Sequence, residues 1–157
     1  MAIMTDSRGN IFLEFIHIEY DKVITTPVWD APLTHALIVV KCQGKYLFMH
    51  NKWRKQWELP GGIIETGENA QQCVIRELFE ETNQIIDTAE FKGLMKFRLQ
   101  PSFHGPERTE YGALFMSELY QLDGFVENDE ASSIILWDGT SEIGQIAEID
   151  RKLVEFV

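Results

Sequence analysis

The chain has 157 residues, of which 45% are hydrophobic, and a formal net charge of −11. This length and composition favour one compact domain over residues 1–157 and argue against collagen, a coiled coil or a disordered chain. The acidity argues against non-specific nucleic-acid binding, which needs clustered lysine and arginine, and no apolar run approaches membrane-spanning length. We therefore expect a cytoplasmic protein with neither a membrane nor a nucleic-acid partner.

The two cysteines carry little functional information. Cys42 and Cys73 lie far apart in the chain, without a CxxC motif or a histidine at zinc-ligand spacing. We expect both to be buried, reduced thiols. The N-terminus lacks the basic and apolar regions of a secretory signal.

The first half of the chain is rich in strand-forming residues. Residues 11–26 contain many Ile, Phe, Val and Thr residues, which predicts a strand, and a loop follows at Pro27. The β-branched run from Thr34 to Lys41 predicts a second strand. A turn at residues 43–45 and a further apolar run at 46–49 predict that this strand continues into a hairpin.

A helix is predicted after a short strand at residues 57–59. Pro60-Gly61-Gly62 is a strong breaker of regular structure. Asn69 is a good N-cap, with Gln72 three residues later as in a capping box, and Asn83 tolerates the left-handed conformation that ends helices. The expected buried stripe of this helix consists of Ala70, Cys73, Val74 and Leu78.

The rest of the chain continues the alternation of strands and helices. Strands are predicted at about residues 90–100 and 110–120, and a short one at 133–137. Apolar residues at helical spacing predict an amphipathic helix over residues 141–156. This order indicates an α/β domain with helices on the faces of one sheet, which the early hairpin prevents from being purely parallel.

Three glutamates crowd one turn of the first predicted helix. Glu77 and Glu81 are four residues apart and share a face, and Glu80 lies between them on the adjoining edge. Like charges at this spacing cost roughly 0.2–0.5 kcal/mol per pair in an isolated helix. The crowding therefore predicts a bound cation. Oxygen ligands without nearby His or Cys favour Mg²⁺ or Mn²⁺ over zinc, and these ions suggest phosphate chemistry.

One segment of the chain resembles the Nudix box of MutT-like hydrolases. In it, a glycine is followed after five residues by a glutamate, and after seven more residues by Arg-Glu-Leu-x-Glu-Glu. The matching positions are Gly62, Glu68, Arg76, Glu77, Leu78, Glu80 and Glu81. The resemblance implies the Nudix fold, an α/β/α sandwich with a mixed β-sheet between helices. It also implies hydrolysis of a nucleoside diphosphate linked to another group X, with Mg²⁺ or Mn²⁺ as cofactor.

The end of the box departs from the family pattern. The usual glycine and apolar residue are replaced by Asn83 and Gln84. Asparagine is the next-best residue at a left-handed helix end, so we expect the helix to end normally. The apolar anchor is expected to move to Ile85.

By the same resemblance, Glu77 and Glu81 are the main metal ligands, and Glu80 is a ligand or a water-positioning group. The backbone carbonyl of Gly61 is expected to bind metal as well, because glycine allows an ion to approach the backbone closely.

Arg76 is expected to hold a ligand carboxylate in place, with Glu68 as its partner. Family members recruit a further glutamate from a later loop, as ligand or general base. Our choice is Glu130, with Glu127 second, and the identity of the general base stays open.

Substrate contacts are less well defined by the pattern. Arg54 and Lys55 are candidates for phosphate contacts, although a solvated basic turn is an alternative for both. Long loops carry specificity, which makes Phe103, His104 and Arg108 candidate substrate residues. A base could stack on Phe103, whereas a lone loop histidine such as His104 is more often a bystander than a catalyst. Trp29 and Trp57 could stack on a base, but core packing is the commoner role of such residues.

A nucleoside triphosphate, including an oxidised one, is our preferred small-molecule substrate because the chain is compact and lacks an added domain. Nucleotide sugars and dinucleoside polyphosphates are alternatives, and the acidity disfavours RNA 5′ ends. A non-catalytic nucleotide-binding regulator is the rival from another class. The N-terminal strand and the C-terminal helix are candidate surfaces of a homodimer.

Overall fold

The structure is a computed structural model that describes residues 1–25 and 30–157. Its strands are β1 (Met4–Thr5), β2 (Ile11–Ile16), β3 (Leu33–Cys42), β4 (Lys45–Asn51), β5 (Gln56–Glu58), β6 (Gly61–Ile63), β7 (Glu90–Leu99), β8 (Arg108–Leu119) and β9 (Ala131–Trp137). Its helices are α1 (Tyr20–Thr25), α2 (Ala70–Thr82) and α3 (Glu148–Leu153), and a 3₁₀ turn, Val154–Phe156, follows α3.

The strands form one mixed sheet in the order β1-β2-β7-β8-β3-β4-β5, with β6 paired to β3 and β9 paired to β4. The pairing of β3 with β8 is parallel, and the other pairings between these strands are antiparallel. The predicted hairpin is β3–β4, with Lys41 opposite Tyr46. The prediction of a mixed sheet is therefore confirmed.

Apolar residues on both faces of the sheet are buried under helices. One core cluster joins Val23 of α1 and Leu78 of α2 to the sheet, for example at Phe115. The other joins Leu153 of α3 to strand residues such as Phe48. Helices on both faces give the predicted α/β/α sandwich.

Helix α2 agrees closely with its prediction. Asn69 and Gln72 form a reciprocal capping box, and Asn83 ends the helix in the left-handed conformation with φ of 63°. The predicted stripe is buried, as are both cysteine thiols. Local sequence alone therefore predicts this helix and both of its ends.

The prediction of one strand over residues 11–26 was wrong between residues 17 and 25, and Thr26 and the loop predicted at Pro27 lie outside the described residues. Strand β2 ends at Ile16, and α1 begins at Tyr20. Tyr20 packs against the ring of Phe115, and Val23, three residues on, is 5% exposed. Residues at this spacing share a helix face, so one turn of helix buries both against the sheet.

The C-terminal helix is shorter than predicted, because only Glu148–Leu153 is α-helical. The residues before it run beside β5. The Trp57 backbone N–H donates to the Gln145 carbonyl at 2.8 Å, and the Ala147 N–H donates to the Trp57 carbonyl at 2.9 Å. The apolar spacing predicted burial correctly, as at Ile146, but the backbone pairs with a strand instead of with itself.

The expected apolar anchor after α2 was also wrong. Ile85 is 65% exposed, whereas Gln84 is fully buried and Ile86 is 8% exposed. The role of Gln84 is described below.

In the described ranges, 1–25 and 30–157, no helix has both the length and the apolar character needed to cross a membrane.

Candidate active site

Three carboxylates from two elements converge at one point. Glu77 and Glu81 project from α2, and Glu130 lies in the loop immediately before β9. One carboxylate oxygen from each lies within 4.8 Å of the others. Three like charges at this distance repel one another unless a cation lies between them. An all-oxygen donor set fits Mg²⁺ or Mn²⁺ better than zinc.

Glu81 is the most buried of the three, with 3% exposure. Its Oε1 accepts the backbone N–H of Gly61 at 2.8 Å. Burial raises the pKa of its carboxyl to about 10; the Gly61 N–H opposes this effect, and the neighbouring Glu130 and Glu77 add to it. A bound cation would offset the cost of a charge at this position.

Two glycines allow β6 to lie between β3 and α2. A Cβ on Gly61 would be 2.3 Å from the Ala36 carbonyl oxygen, and a Cβ on Gly62 would be 2.6 Å from Glu77 Oε1. The predicted break lies at Leu59 and Pro60, between β5 and β6, and the two glycines belong to strand β6, which pairs with β3. Their missing side chains bring the backbone of β6 next to the carboxylates of α2.

Arg76 connects the box glutamates to one another. Its Nη2 donates to Glu68 Oε1 at 2.7 Å and its Nε donates to Glu68 Oε2 at 3.0 Å. Its Nη1 donates to Glu77 Oε1 at 2.9 Å. The hydrogen bonds from Arg76 lower the pKa of Glu68 to about 2. The structure thus brings Arg76 together with both partners that were expected from the sequence.

Two other predicted acidic residues lie apart from the cluster. Glu80 has a side-chain exposure of 58% and accepts Arg76 Nη1 at 3.2 Å. Glu127 pairs with Lys52 Nζ at 3.0 Å in solvent. The three-carboxylate group contains neither of them.

A cleft of about 1020 Å³ extends from this cluster, and Gly61 and Glu81 form part of its wall. Its other walls come from the turn between β1 and β2, from β3, from the facing ends of β7 and β8, and from the segment at residues 145–150. Pockets of this size hold small organic ligands.

Two of the predicted substrate residues line the cleft and are already paired. Arg54 donates to both carboxylate oxygens of Glu58, at 2.7 and 2.9 Å. Arg108 donates from Nε to Glu110 at 3.2 Å. A substrate phosphate would have to compete with these carboxylates for either guanidinium.

The remaining substrate candidates are divided. His104 lines the cleft. Phe103 is fully exposed and does not line the cleft in the part of the chain that the structure describes. Lys55 does not line the described cleft either. Trp57 packs in the core on the α3 side and donates its indole N–H to the Ile143 carbonyl at 2.8 Å, a packing role. Trp29 lies outside the described residues.

The sequence reasoning missed several polar residues of the cleft, among them Glu58, Asp150, His35 and Glu110. Asp150 accepts the Leu59 N–H at 2.9 Å, and burial raises its pKa to about 7, with Glu58 adding to the effect. His35 lies 3.6 Å from Glu110, and burial lowers its pKa. Glu58 follows Trp57 in the approach to the box, which is the one local signal that pointed to any of them.

The fold and the site define an α/β domain with a three-carboxylate cluster beside a large cleft. The family model for the NUDIX domain matches residues 32–155. The chain therefore belongs to the Nudix family, as the box predicted.

Known proteins agree with this assignment. A MutT-like protein of Streptomyces ambofaciens is 35% identical in an alignment covering 46% of this chain and 53% of that protein. Crystal structures of a Bacillus subtilis pyrophosphohydrolase mutant and a Burkholderia pseudomallei MutT Nudix hydrolase share the fold. The Bacillus subtilis structure has a TM-score of 0.67 and 19% identity, and the alignment covers 89% of this chain and 79% of that one. The Burkholderia pseudomallei structure has a TM-score of 0.66 and 17% identity, and the alignment covers 82% of this chain and 99% of that one. The chain spans about half the length, or less, of the first curated relatives it matches.

Proposed function

We propose that this protein is a Mg²⁺- or Mn²⁺-dependent pyrophosphohydrolase that cleaves a diphosphate bond in a nucleoside diphosphate linked to another group. The observation that carries the proposal is the convergence of Glu77, Glu81 and Glu130 within 4.8 Å of one another, with Glu81 also lining the cleft. Membership of the Nudix family supports it.

The residues present fit a divalent ion. Glu77, Glu81 and Glu130 would hold it, with the Gly61 carbonyl as a further ligand and Glu80 as a candidate ligand. When bound, such an ion neutralises charge on the phosphates and acidifies the attacking water.

The protein itself contributes positioning. Arg76 holds Glu77 through a 2.9 Å hydrogen bond while Glu68 grips the other side of the guanidinium. The Gly61 N–H holds Glu81. Pre-positioned ligands of this kind supply most of the catalysis of phosphoryl transfer, which needs mainly orientation and charge stabilisation.

Two glutamates are candidates to orient the attacking water or to accept its proton. Glu130 lies in the carboxylate cluster and would act directly beside the scissile phosphate. Glu80 is on the exposed edge of the same helix and is the second candidate.

A nucleoside triphosphate, with oxidised triphosphates included, is the proposed substrate. The cleft volume of about 1020 Å³ leaves room for a base, a sugar and a phosphate chain. Arg54 and Arg108 lie in its wall as candidate contacts, and Phe103 is a candidate only if its loop closes over the base.

The test is a panel of nucleoside triphosphates, nucleotide sugars and dinucleoside polyphosphates incubated with Mg²⁺ in ¹⁸O-labelled water. Identifying both products shows the substrate class, and the labelled product shows which phosphorus is attacked. We expect turnover in the wild type and loss of at least 100-fold in Glu81→Gln. The matched control is Glu118→Gln, which removes an exposed strand carboxylate. Equal inertness of the wild type and Glu81→Gln across the panel would favour a regulator that binds without turnover.

A further inference from the structure

Side-chain amides join the C-terminal end of α2 to the Glu130 loop, defined here as residues 120–130. Asn83 Nδ2 donates to the Gly124 carbonyl at 2.7 Å. Gln84 Nε2 donates to the Asp123 carbonyl at 3.0 Å, and its Oε1 accepts the Asp123 N–H at 2.7 Å. Gln84 is fully buried, and it also donates to the Thr82 carbonyl, so its polar atoms are satisfied.

A third amide connects two residues of the carboxylate cluster directly. Asn128 Nδ2 donates to the backbone carbonyl of Glu81 at 3.0 Å. Its Oδ1 accepts the N–H groups of Glu130 and Ala131, at 3.0 and 2.9 Å. One side chain thus sets the distance between the backbones of Glu81 and Glu130.

Apart from the amides, the Glu130 loop is held mainly by polar contacts near its C-terminal end: the Trp53 indole N–H donates to the Asp129 carbonyl at 2.8 Å, and Lys52 Nζ pairs with Glu127 at 3.0 Å. The loop contains neither helix nor strand, and Tyr120 and Val126 are 92% and 61% exposed. Leu122 packs against the core at one end, and the Lys52 N–H donates to the Glu130 carbonyl at the other. Segments with so few apolar contacts open locally at low cost unless hydrogen bonds restrain them.

The amide cluster (Asn83, Gln84 and Asn128) also accounts for the departure at the end of the box. A glycine and an apolar residue, the family pattern at the first two positions, could donate none of these side-chain hydrogen bonds. We propose that the amide cluster is a positioning device of this chain, which fixes the Glu130 loop so that the Glu130 carboxylate meets Glu77 and Glu81. The inference rests on the proposed function, in which Glu130 serves the bound ion.

The test uses the whole chain and Mn²⁺ as the metal. Two variants are compared with the wild type: the double variant Asn83→Gly with Gln84→Leu, which restores the family pattern and suits the left-handed helix end, and Asn128→Ala. The control is Gln121→Ala, which removes an exposed amide from the same loop. Mn²⁺ affinity is measured by electron paramagnetic resonance, and loop opening by amide hydrogen exchange.

Both variants are expected to weaken Mn²⁺ binding about tenfold, as removal of an outer support of a metal ligand does. Exchange at residues 123–131 should rise by about tenfold or more, while the control remains like the wild type. In a Glu130→Gln background the same substitutions should cause no further loss of Mn²⁺ affinity. A merely structural role would weaken binding in both backgrounds.

Wild-type affinity and exchange in both variants would overturn the inference, as would an equal loss in the two backgrounds. The proposed function fails differently. If Glu77→Gln and Glu81→Gln leave Mn²⁺ affinity unchanged, the metal site itself is wrong. If only Glu130→Gln leaves it unchanged, the positioning inference fails and the hydrolase proposal stands on the other two glutamates.

Discussion

Arg76 contacts three of the acidic residues around the candidate metal site, Glu68, Glu77 and Glu80. The fork to Glu68 uses two parallel hydrogen bonds, which leaves Nη1 aimed at Glu77. A lysine carries the same charge but lacks the planar fork. The geometry of the guanidinium, more than its charge, is therefore what should hold Glu77.

Arg76→Lys should lower kcat/KM by about 10- to 100-fold, because Glu77 loses its fixed orientation. Steady-state kinetics on the best substrate of the panel measures this. The control is Arg98→Lys on β7, whose pair with Glu107 is solvent-exposed and worth only about 0–1 kcal/mol. Activity of Arg76→Lys within twofold of the wild type would show that orientation by the fork is unimportant.

Asp150 gives a pH dependence of known sign. Its pKa is raised from 3.8 to about 7 in the folded protein. The folded protein therefore favours the protonated carboxyl of Asp150. The contribution of this group to the free energy of unfolding is complete below pH about 4 and is lost as the pH rises towards 7. The free energy of unfolding should fall over that window by at most about 1.4 kcal/mol per pH unit from this group.

Asp150→Asn should remove that loss while its amide oxygen still accepts the Leu59 N–H. Relative to the wild type, the variant should become progressively more stable between pH 4 and 7. Urea unfolding at several pH values, without divalent ions, measures the difference. A difference that stays constant across this range would contradict the assignment of the raised pKa to Asp150.

At the scale of elements, the sequence correctly predicted the helix ends that are fixed by hydrogen bonds between residues close in sequence. The ends of α2 follow from Asn69, Gln72 and Asn83, whose partners lie within a few residues. Helix α1 was mispredicted because Tyr20 and Val23 pack against a sheet formed by distant residues. Residues 141–147 were mispredicted because backbone groups of Gln145 and Ala147 pair with Trp57. Apolar periodicity reports which side chains are buried, and it does not report which backbone groups pair.

The close packing of β6 against α2 makes its own prediction. Gly62→Ala should displace the Glu77 carboxylate, because the new Cβ would lie 2.6 Å from Oε1. We expect Mn²⁺ affinity and turnover to fall at least tenfold, with the helix content by circular dichroism unchanged. Gly44→Ala in the β3–β4 turn is the control, since it lies outside the site and a Cβ there meets nothing within 4 Å. Unchanged Mn²⁺ affinity in Gly62→Ala would mean that Glu77 is free to move.

At the scale of the whole molecule, the sequence predicted the carboxylate cluster better than the cleft beside it. The carboxylate cluster could be predicted in large part, because Glu77 and Glu81 lie four residues apart in the box and the family resemblance pointed to a later glutamate, for which Glu130 was the choice. The predicted set also contained Glu80, which the cluster lacks. The cleft could not be predicted, since residues as distant as Arg8, Glu58, Glu110 and Asp150 meet only through the order of strands in the sheet. No local pattern encodes that convergence.

The acidity of the whole chain predicts that binding of the proposed nucleotide substrate depends on the metal. With a net charge of −11, the protein should repel a triphosphate unless a divalent ion lies between them. The dissociation constant of a non-hydrolysable triphosphate analogue, measured by calorimetry, should rise at least tenfold when EDTA replaces Mg²⁺. Equal affinity in the two conditions would show that arginines alone hold the phosphates.

The most direct measurement is a crystal structure of the protein grown with Mn²⁺ and a non-hydrolysable triphosphate analogue, with anomalous scattering used to locate the metal. We predict an anomalous peak bounded by the carboxylates of Glu77, Glu81 and Glu130 and by the backbone of Gly61, with phosphate oxygens completing its coordination. Manganese bound elsewhere in the cleft, with those three carboxylates making no contact to it, would contradict the account.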